Sequence, residues 1–232
     1  MYRVEDKFIC SAQDLFFLDA RLKTVLRTDE NQSDDSGYTI TSVYFDDYQD
    51  KHLTDTMQGN RIREKYRIRI YNGSYDVIKL EVKYKRDNRV FKRARTISWE
   101  QMVSLMEGNC IEDDDCSLDN TITLFNLAIS ERKLSPTVIV EYERKAYVFD
   151  AGNVRITIDR NLRYSRDFDL FMNKKRYSTR LVEEPDSVLE VKYDEFLPGF
   201  IAGILETGNM QQSAYSKYRL CREEIVSCQQ KM

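Results

Sequence analysis

Residues 61–95 read RIREKYRIRIYNGSYDVIKLEVKYKRDNRVFKRAR. Lys65, Arg67 and Arg69 alternate with Tyr66, Ile68 and Ile70. Further on, Lys79, Glu81, Lys83 and Lys85 alternate with Ile78, Leu80, Val82 and Tyr84. A period of two puts each set on one face of a β-strand. The outer face of a half-buried strand ordinarily mixes polar residues. Here that face is almost purely cationic, with a carboxylate set into it.

The positive charge is placed, not diffuse. Residues 61–95 hold 13 Lys/Arg against 4 Asp/Glu, while the rest of the chain holds 23 against 35. The overall net charge of -3 hides this asymmetry and argues against a generally basic nucleic-acid coat. At 232 residues, with 41% hydrophobic and 32% charged residues, the chain reads as globular and able to bury a core. Its five cysteines, Cys10, Cys110, Cys116, Cys221 and Cys228, form no CxxC pair, which argues against a disulfide framework or a zinc site. A reducing cytoplasm is the expected compartment. MYRVEDKF lacks an apolar signal core, and no run reaches membrane-spanning length. The single histidine, His52, sits in a polar, turn-like stretch and reads as a solvated surface residue, so histidine chemistry is not expected.

Outward from residues 61–95, the same polarity recurs. Arg3, Glu5 and Lys7 oppose Val4 and Phe8; Arg155, Thr157 and Asp159 share a face; Glu190 and Lys192 share another. The strand 138–148 brings Arg144, with parity left ambiguous by Glu141 and Glu143. Between these strands, a helix begins at the N-cap Ser11 with the stripe Leu15, Leu18, Leu22, Val25 and Leu26. Tyr38–Phe45 reads as a strand and 50–58 as a short helix. Asn72-Gly73 marks a turn in a loop longer than two residues, and Asp87-Asn88 a second turn before a strand near 90–97. Ser98 with Gln101 forms a capping box for a helix ending near Gly108. Glu112–Asp115 is an acidic loop; helices follow at 118–132, 200–206 and 212–229, and 165–186 reads as irregular. One α+β domain over 1–232 is expected, antiparallel-rich, with helices outside.

Alternate Lys and Arg on one strand ordinarily make a solvated face with surface ion pairs. Five such strands, two of them with a carboxylate in an LEVK context, call for more. Helices packed outside would bury the apolar faces, and a sheet closed on itself would turn the charged faces inward. Like charges 4 Å apart cost roughly 4 kcal/mol at an effective dielectric of about 20, so such a lumen must hold anions. Glu5, Glu81 and Glu190 supply part of the compensation. Phosphate groups in a row suit the rest: arginine binds them bidentately and lysine as a point charge. The carboxylates would then hold Mg²⁺ or Mn²⁺ against phosphate oxygens.

RVEDKF (3–8), KYRIRIY (65–71), LEVK (80–83), YERKAY (142–147), RITID (155–159), LEVKY (189–193) and SKY (216–218) come in an order that resembles the VTC domain. This is the polyphosphate polymerase branch of the triphosphate tunnel metalloenzymes, within the CYTH-like superfamily. The resemblance runs from Arg3 to Arg219; no single motif is specific, and the ordered set is. It implies an antiparallel, eight-stranded closed β-barrel, the tunnel, with helices packed outside. The superfamily's first strand carries Glu-x-Glu-x-Lys. Here Arg3 stands in place of the first Glu, a departure that matches the polymerase branch. By the same resemblance, Arg67 and Arg69 grip the nucleotide triphosphate, and Lys7, Lys83, Lys92, Arg144, Arg155 and Lys192 line the tunnel with Arg3. Ser216 and Lys217 bind phosphate near the opening helix. Arg67, Glu190 and Lys217 are the expected catalytic set. Glu190 holds the metal, with Glu5 and Glu81 as further carboxylates.

The expected activity is metal-dependent transfer of the ATP γ-phosphate to a growing polyphosphate chain. The partners are ATP and polyphosphate, without nucleic acid; this chain carries no membrane segment, and a membrane-protein partner is left open. A tunnel triphosphatase would want the N-terminal glutamate pair that Arg3 disrupts. A non-catalytic polyphosphate or inositol-phosphate module would not need Glu190. A single-stranded nucleic-acid binder would want aromatics beside the cations, whereas Tyr66 and Tyr84 fall on the opposite face.

Overall fold

The structure is a computed structural model that describes residues 4–32, 34–86, 89–112, 120–182, 187–206 and 210–230. Arg3, Asp87-Asn88, Asp113–Asp115 and Cys116 lie outside the described residues. In chain order the elements are β1 (Val4–Ile9), α1 (Ala12–Val25), β2 (Arg27–Thr28), β3 (Tyr38–Asp46), α2 (Lys51–Met57), β4 (Ile62–Tyr71), β5 (Ser74–Arg86) and β6 (Arg89–Ile97). Then come α3 (Trp99–Met106), α4 (Thr121–Arg132), β7 (Ser135–Phe149), β8 (Val154–Ser165), α5 (Phe168–Met172), β9 (Arg180–Leu181), β10 (Ser187–Tyr193), α6 (Gly199–Leu205), β11 (Gln211–Gln212) and α7 (Lys217–Gln230).

The chain divides into two compact units. The first comprises residues 1–39, 142–162 and 181–216; the second comprises 40–141, 163–180 and 217–232. In the first, the strand order is β11-β1-β10-β8-β7, with β2 on β7 and β9 on β8. In the second it is β7-β3-β4-β5-β6. The pairings are antiparallel for β1 with β10 and β11, β10 with β8, β2 with β7, β3 with β4, and β5 with β4 and β6.

Period two carries through to burial in both units. Ile68, Ile70, Ile78, Leu80 and Val82 form one core with Met102 and Leu105 of α3, Phe125 and Ile129 of α4, and Phe171 of α5. Ile156, Ile158, Leu189 and Val191 form the other with Leu15, Leu18 and Leu22 of α1 and Ile201 of α6. Helices therefore cover the apolar face of each unit's strands, and the charged side chains take the other face.

The closed eight-stranded barrel is not what forms. Among the described residues the sheet has 11 strands, its order runs from β11 to β6, and no pairing closes it. Three of the strands are only two residues long. The expectation of closure assumed that charged faces must meet across a lumen. Carboxylates on the same or neighbouring strands already neutralise many of the cations in place, so ion pairing does not require closure.

Local signals resolve as physical chemistry dictates, with five corrections, the first being that the last helix starts at Lys217 and not at Gln212, which lies in β11. Ser11 and Ser98 cap α1 and α3, the latter with Gln101 in a full capping box. Val25 leaves the α1 stripe and is exposed. Asn72 and Gly73 make a two-residue hairpin, since Tyr71 pairs with Ser74 and both turn residues have positive φ, 52° and 66°. A register shift after Arg69 absorbs the surplus residues of β5. Residues 165–186 contain α5 and β9 and are not wholly irregular. His52 is buried at 2% exposure, its ring 5.4 Å from that of Tyr66. A helix of polar appearance is sunk here because Asp46, also buried, accepts from the backbone N–H of His52 and Leu53 at 2.9 and 3.0 Å.

Gly37 is the most closely approached of the described glycines. Its φ is +89°, and a Cβ there would lie 2.3 Å from the Arg144 carbonyl oxygen. Gly37→Ala is expected to destabilise the protein by about 2 kcal/mol or more, read as a lowered urea midpoint.

Candidate functional site

In the second unit, β4 and β5 set Arg67 opposite Glu81 and Lys65 opposite Lys83, and β6 sets Lys92 opposite Lys83. Lys65, Lys83 and Lys92 thus form one row across three strands. Glu81, 2% exposed, is the carboxylate among them. Arg67 Nε donates to it at 2.6 Å, Lys92 makes a close ion pair with it, and Arg69 stands 4.0 Å away. Burial pushes the Glu81 carboxyl upward, but Arg67, Arg69 and Lys92 outweigh it and hold the group below the usual carboxylate range. From β3, the Tyr44 hydroxyl accepts from Arg67 at 3.0 Å, and the Ser42 hydroxyl accepts from Arg69 Nε at 3.2 Å.

The first unit repeats the pattern around Glu190. β1, β10 and β8 set Glu5, Lys192 and Arg155 in one row and Lys7, Glu190 and Thr157 in the next. Glu190 meets Lys192 at 3.0 Å, Lys7 at 3.6 Å and Arg144 at 3.8 Å. Its carboxyl also makes a hydrogen bond with Glu5. Burial raises its pKa, whereas Lys192, Lys7 and Arg144 drive it well below the ordinary value. Arg144, whose parity the sequence left open, shares the charged face: its guanidinium grips Asp159 with two bonds of 2.6 and 2.7 Å. Arg155 pairs with Asp29 at 2.9 Å and donates to the Tyr38 hydroxyl at 3.1 Å. Its Nε is buried without a hydrogen-bond partner among the described residues.

The expected residues thus assemble in two groups: Lys7, Glu5, Glu190, Lys192, Arg144 and Arg155, and separately Arg67, Arg69, Glu81, Lys83 and Lys92. Ser216 is buried and immediately precedes α7, whose first residue is Lys217. A helix start of this kind favours anions. Sequence reasoning missed Tyr38, Ser42 and Tyr44 and the partners Asp29 and Asp159. The signal for β3 was available: Tyr38, Ser42 and Tyr44 share a parity, obscured by the strand's overall apolar character.

Among the described residues, no group of three or more His, Cys, Asp or Glu side chains could hold a metal ion. Glu5 and Glu190 form a carboxylate pair that Lys7 and Lys192 already bridge, Lys7 at 3.3 and 3.6 Å and Lys192 at 3.8 and 3.0 Å. Mg²⁺ takes as few as one or two carboxylates and completes its shell from phosphate oxygens and water, so this pair could hold such an ion if the two ammonium groups turned to phosphate. Glu81, enclosed by three cations, offers no comparable pair. None of the described helices is long and apolar enough to cross a membrane.

A family model described as the VTC domain matches residues 2–225. None of the curated proteins matches the chain. Among solved structures, the chain is similar to HpAC1 from Hippeastrum, named as an adenylyl cyclase with a dominant triphosphatase activity. That likeness has a TM-score of 0.58 at 13% identity and covers 97% of this chain and 96% of that one. It is also similar to the PH1819 protein of Pyrococcus horikoshii OT3, with a TM-score of 0.50 at 15% identity, covering 96% and 99%. At these identities the likeness concerns the fold.

A carboxyl whose folded pKa is depressed stabilises the protein above its unfolded value, about 4.3 for Glu. That contribution is lost as pH falls through the lower, folded value. Stability in urea is therefore expected to be flat toward pH 7 and to fall below about pH 4.3. Glu190→Gln should lower stability at pH 7 by about 3 kcal/mol, because Lys7, Lys192 and Arg144 lose their anion, and should make the acid decline shallower. A decline of unchanged slope would refute the assignment.

Proposed function

This chain belongs to the VTC domain family, of triphosphate tunnel type, and from that premise we infer that it is a polyphosphate polymerase acting on ATP. The observation that supports this best is the second unit's strand face, which carries Lys65, Arg67, Arg69, Lys83 and Lys92, with Arg67, Arg69 and Lys92 gathered on Glu81. Cations in such excess are stable beside a dense polyanion, and a row of phosphates supplies one.

In this reading Arg67 and Arg69 hold the triphosphate of ATP through their guanidinium forks, and Lys83, Lys92 and Lys217 add point charges. Glu81 orients Arg67 and Lys92 and does not itself touch substrate. In the first unit Lys7, Arg155 and Lys192 contact phosphate oxygens, with Arg144 in support, and Glu190 and Glu5 would hold Mg²⁺ or Mn²⁺. That ion, when bound, neutralises charge on the phosphate oxygens. A terminal oxygen of the growing chain attacks the γ-phosphorus. The bond from that phosphorus to the β,γ-bridging oxygen breaks, and ADP leaves with the electron pair. The attacking oxygen is already anionic, so no general base is required. The chain's only histidine, buried against Tyr66, is not called upon. Catalysis rests on positioning and electrostatic stabilisation of the charge that develops in phosphoryl transfer.

Incubation of the protein with ATP and Mn²⁺ or Mg²⁺ is expected to give a ladder of phosphate polymers on a gel. Arg67→Ala is expected to lower kcat/KM by roughly 10²-fold. Release of free phosphate without polymer would replace the reading by a triphosphatase. Polyphosphate binding that survives Glu190→Ala, with no turnover in the wild type, would replace it by a binding module.

A further inference from the structure

Tyr218 lies in the first turn of α7 and is 1% exposed. Its hydroxyl donates to Asp46 Oδ2 at 2.6 Å and accepts from Arg222 at 3.0 Å. Arg222 is itself held by Asp50 at 2.7 Å. Asp46, at the end of β3, is fully buried and has little freedom. Its Oδ1 accepts from the backbone N–H of Asp47 and His52, both at 2.9 Å, and its Oδ2 from that of Leu53 at 3.0 Å. The Tyr218 hydroxyl is thus tied to the start of α2, and its ring cannot slide.

That ring stacks on Tyr44, with centroids 5.1 Å apart and planes 28° apart. The Tyr44 hydroxyl accepts from Arg67 Nη1 at 3.0 Å, and the Arg67 guanidinium lies 5.7 Å from the Tyr44 ring centroid. The other side of Arg67 is fixed by its Nε bond to Glu81. Lys65 Nζ stands 5.6 Å from the centroid of the Tyr218 ring. A continuous path of hydrogen bonds and ring contacts therefore runs from a buried carboxylate at the helix start to two cations of the strand face.

We propose that Tyr218, anchored by Asp46, is a positioning residue for Arg67, acting through Tyr44, and for Lys65, acting directly. The role rests on the reading of this face as a phosphate site. Burial and the neighbouring Asp46 raise the Tyr218 phenol above its usual value, so the hydroxyl stays a donor. A guanidinium held at both ends presents its remaining donors in one orientation, and a misplacement of about 1 Å can cost phosphoryl chemistry on the order of 10²-fold.

The test is a double-mutant cycle on the full chain, with inorganic tripolyphosphate as the probe and calorimetric Kd as the readout. Tyr218→Leu is expected to weaken binding about fivefold to tenfold in the wild-type background. In the Lys65→Ala, Arg67→Ala background the same change should move Kd by less than about twofold, while lowering the urea midpoint as much as before. An equal loss of affinity in both backgrounds would mean a purely structural role and would overturn the proposal. Tyr218→Phe keeps the ring but removes its anchor to Asp46 and Arg222, so it should weaken binding about twofold to fivefold in the wild-type background and by less than that in the Lys65→Ala, Arg67→Ala background; unchanged affinity in the wild-type background would overturn the anchoring by Asp46. Should the leucine variant not fold, Tyr44→Phe decides. It removes only the hydroxyl that Arg67 uses, and unchanged affinity would overturn the path. A Lys65→Ala, Arg67→Ala protein that binds like the wild type would overturn the phosphate site itself, and this role with it.

Discussion

A carboxylate taken out of water must be paired, and here two of them are paired to excess. Glu81 and Glu190 occupy the same place in two LEVK segments, whose Leu and Val enter the cores while Glu and Lys turn to the opposite face. Burying a carboxylate costs several kcal/mol, and removing its partners leaves that cost uncompensated. Register supplies the partners. Arg67 stands opposite Glu81, and Lys7 stands opposite Glu190. A slip of one residue would send the cations into the helix-covered core and the isoleucines into water. The ion pairs and the cores thus enforce the same alignment, and neither can be changed alone.

The same constraint removes the electrostatic reason for the sheet to close. Repulsion between cations was the argument for closure and for a ligand together. Carboxylates set between neighbouring cations remove much of that repulsion within the plane of the strands. What remains is the surplus of cations over carboxylates, which is a case for a bound polyanion and not for any particular curvature.

Much of this was legible in the sequence because the signal was local. Alternation over 65–69, 79–85 and 188–192 is a property of adjacent residues, and so is the capping box at Ser98 and Gln101. Burial of His52 was not legible, since it depends on Asp46 drawing in the N-terminus of α2. Exposure of Val25 reflects where α1 ends against its core, and the sequence stripe does not record that. Arg144 illustrates the limit most clearly. Two charged parities compete along 141–145, and only Asp159, fifteen residues away on β8, decides for one. Tyr218 was readable as part of SKY but not as the residue that stacks on Tyr44, a contact across more than 170 positions.

The cations are not equivalent, and their exposure sorts them. Arg144, with a 7% exposed side chain, has a bidentate partner in Asp159 and a second carboxylate in Glu190 nearby; it is committed to the protein. Lys7, Arg155 and Lys192 are 24%, 29% and 23% exposed, and Lys92 is 43% exposed, so each reaches solvent while touching a carboxylate. A side chain of this second kind can exchange part of its interaction for a phosphate oxygen without being stripped of water first. Desolvation is then shared with the ligand, and the fixed carboxylate keeps the ammonium or guanidinium aimed. On this physical ground the deep pair of Arg144 with Asp159 holds the frame. The partly exposed cations around it keep a side open to water, and under the proposed function that side is the one that would meet phosphate.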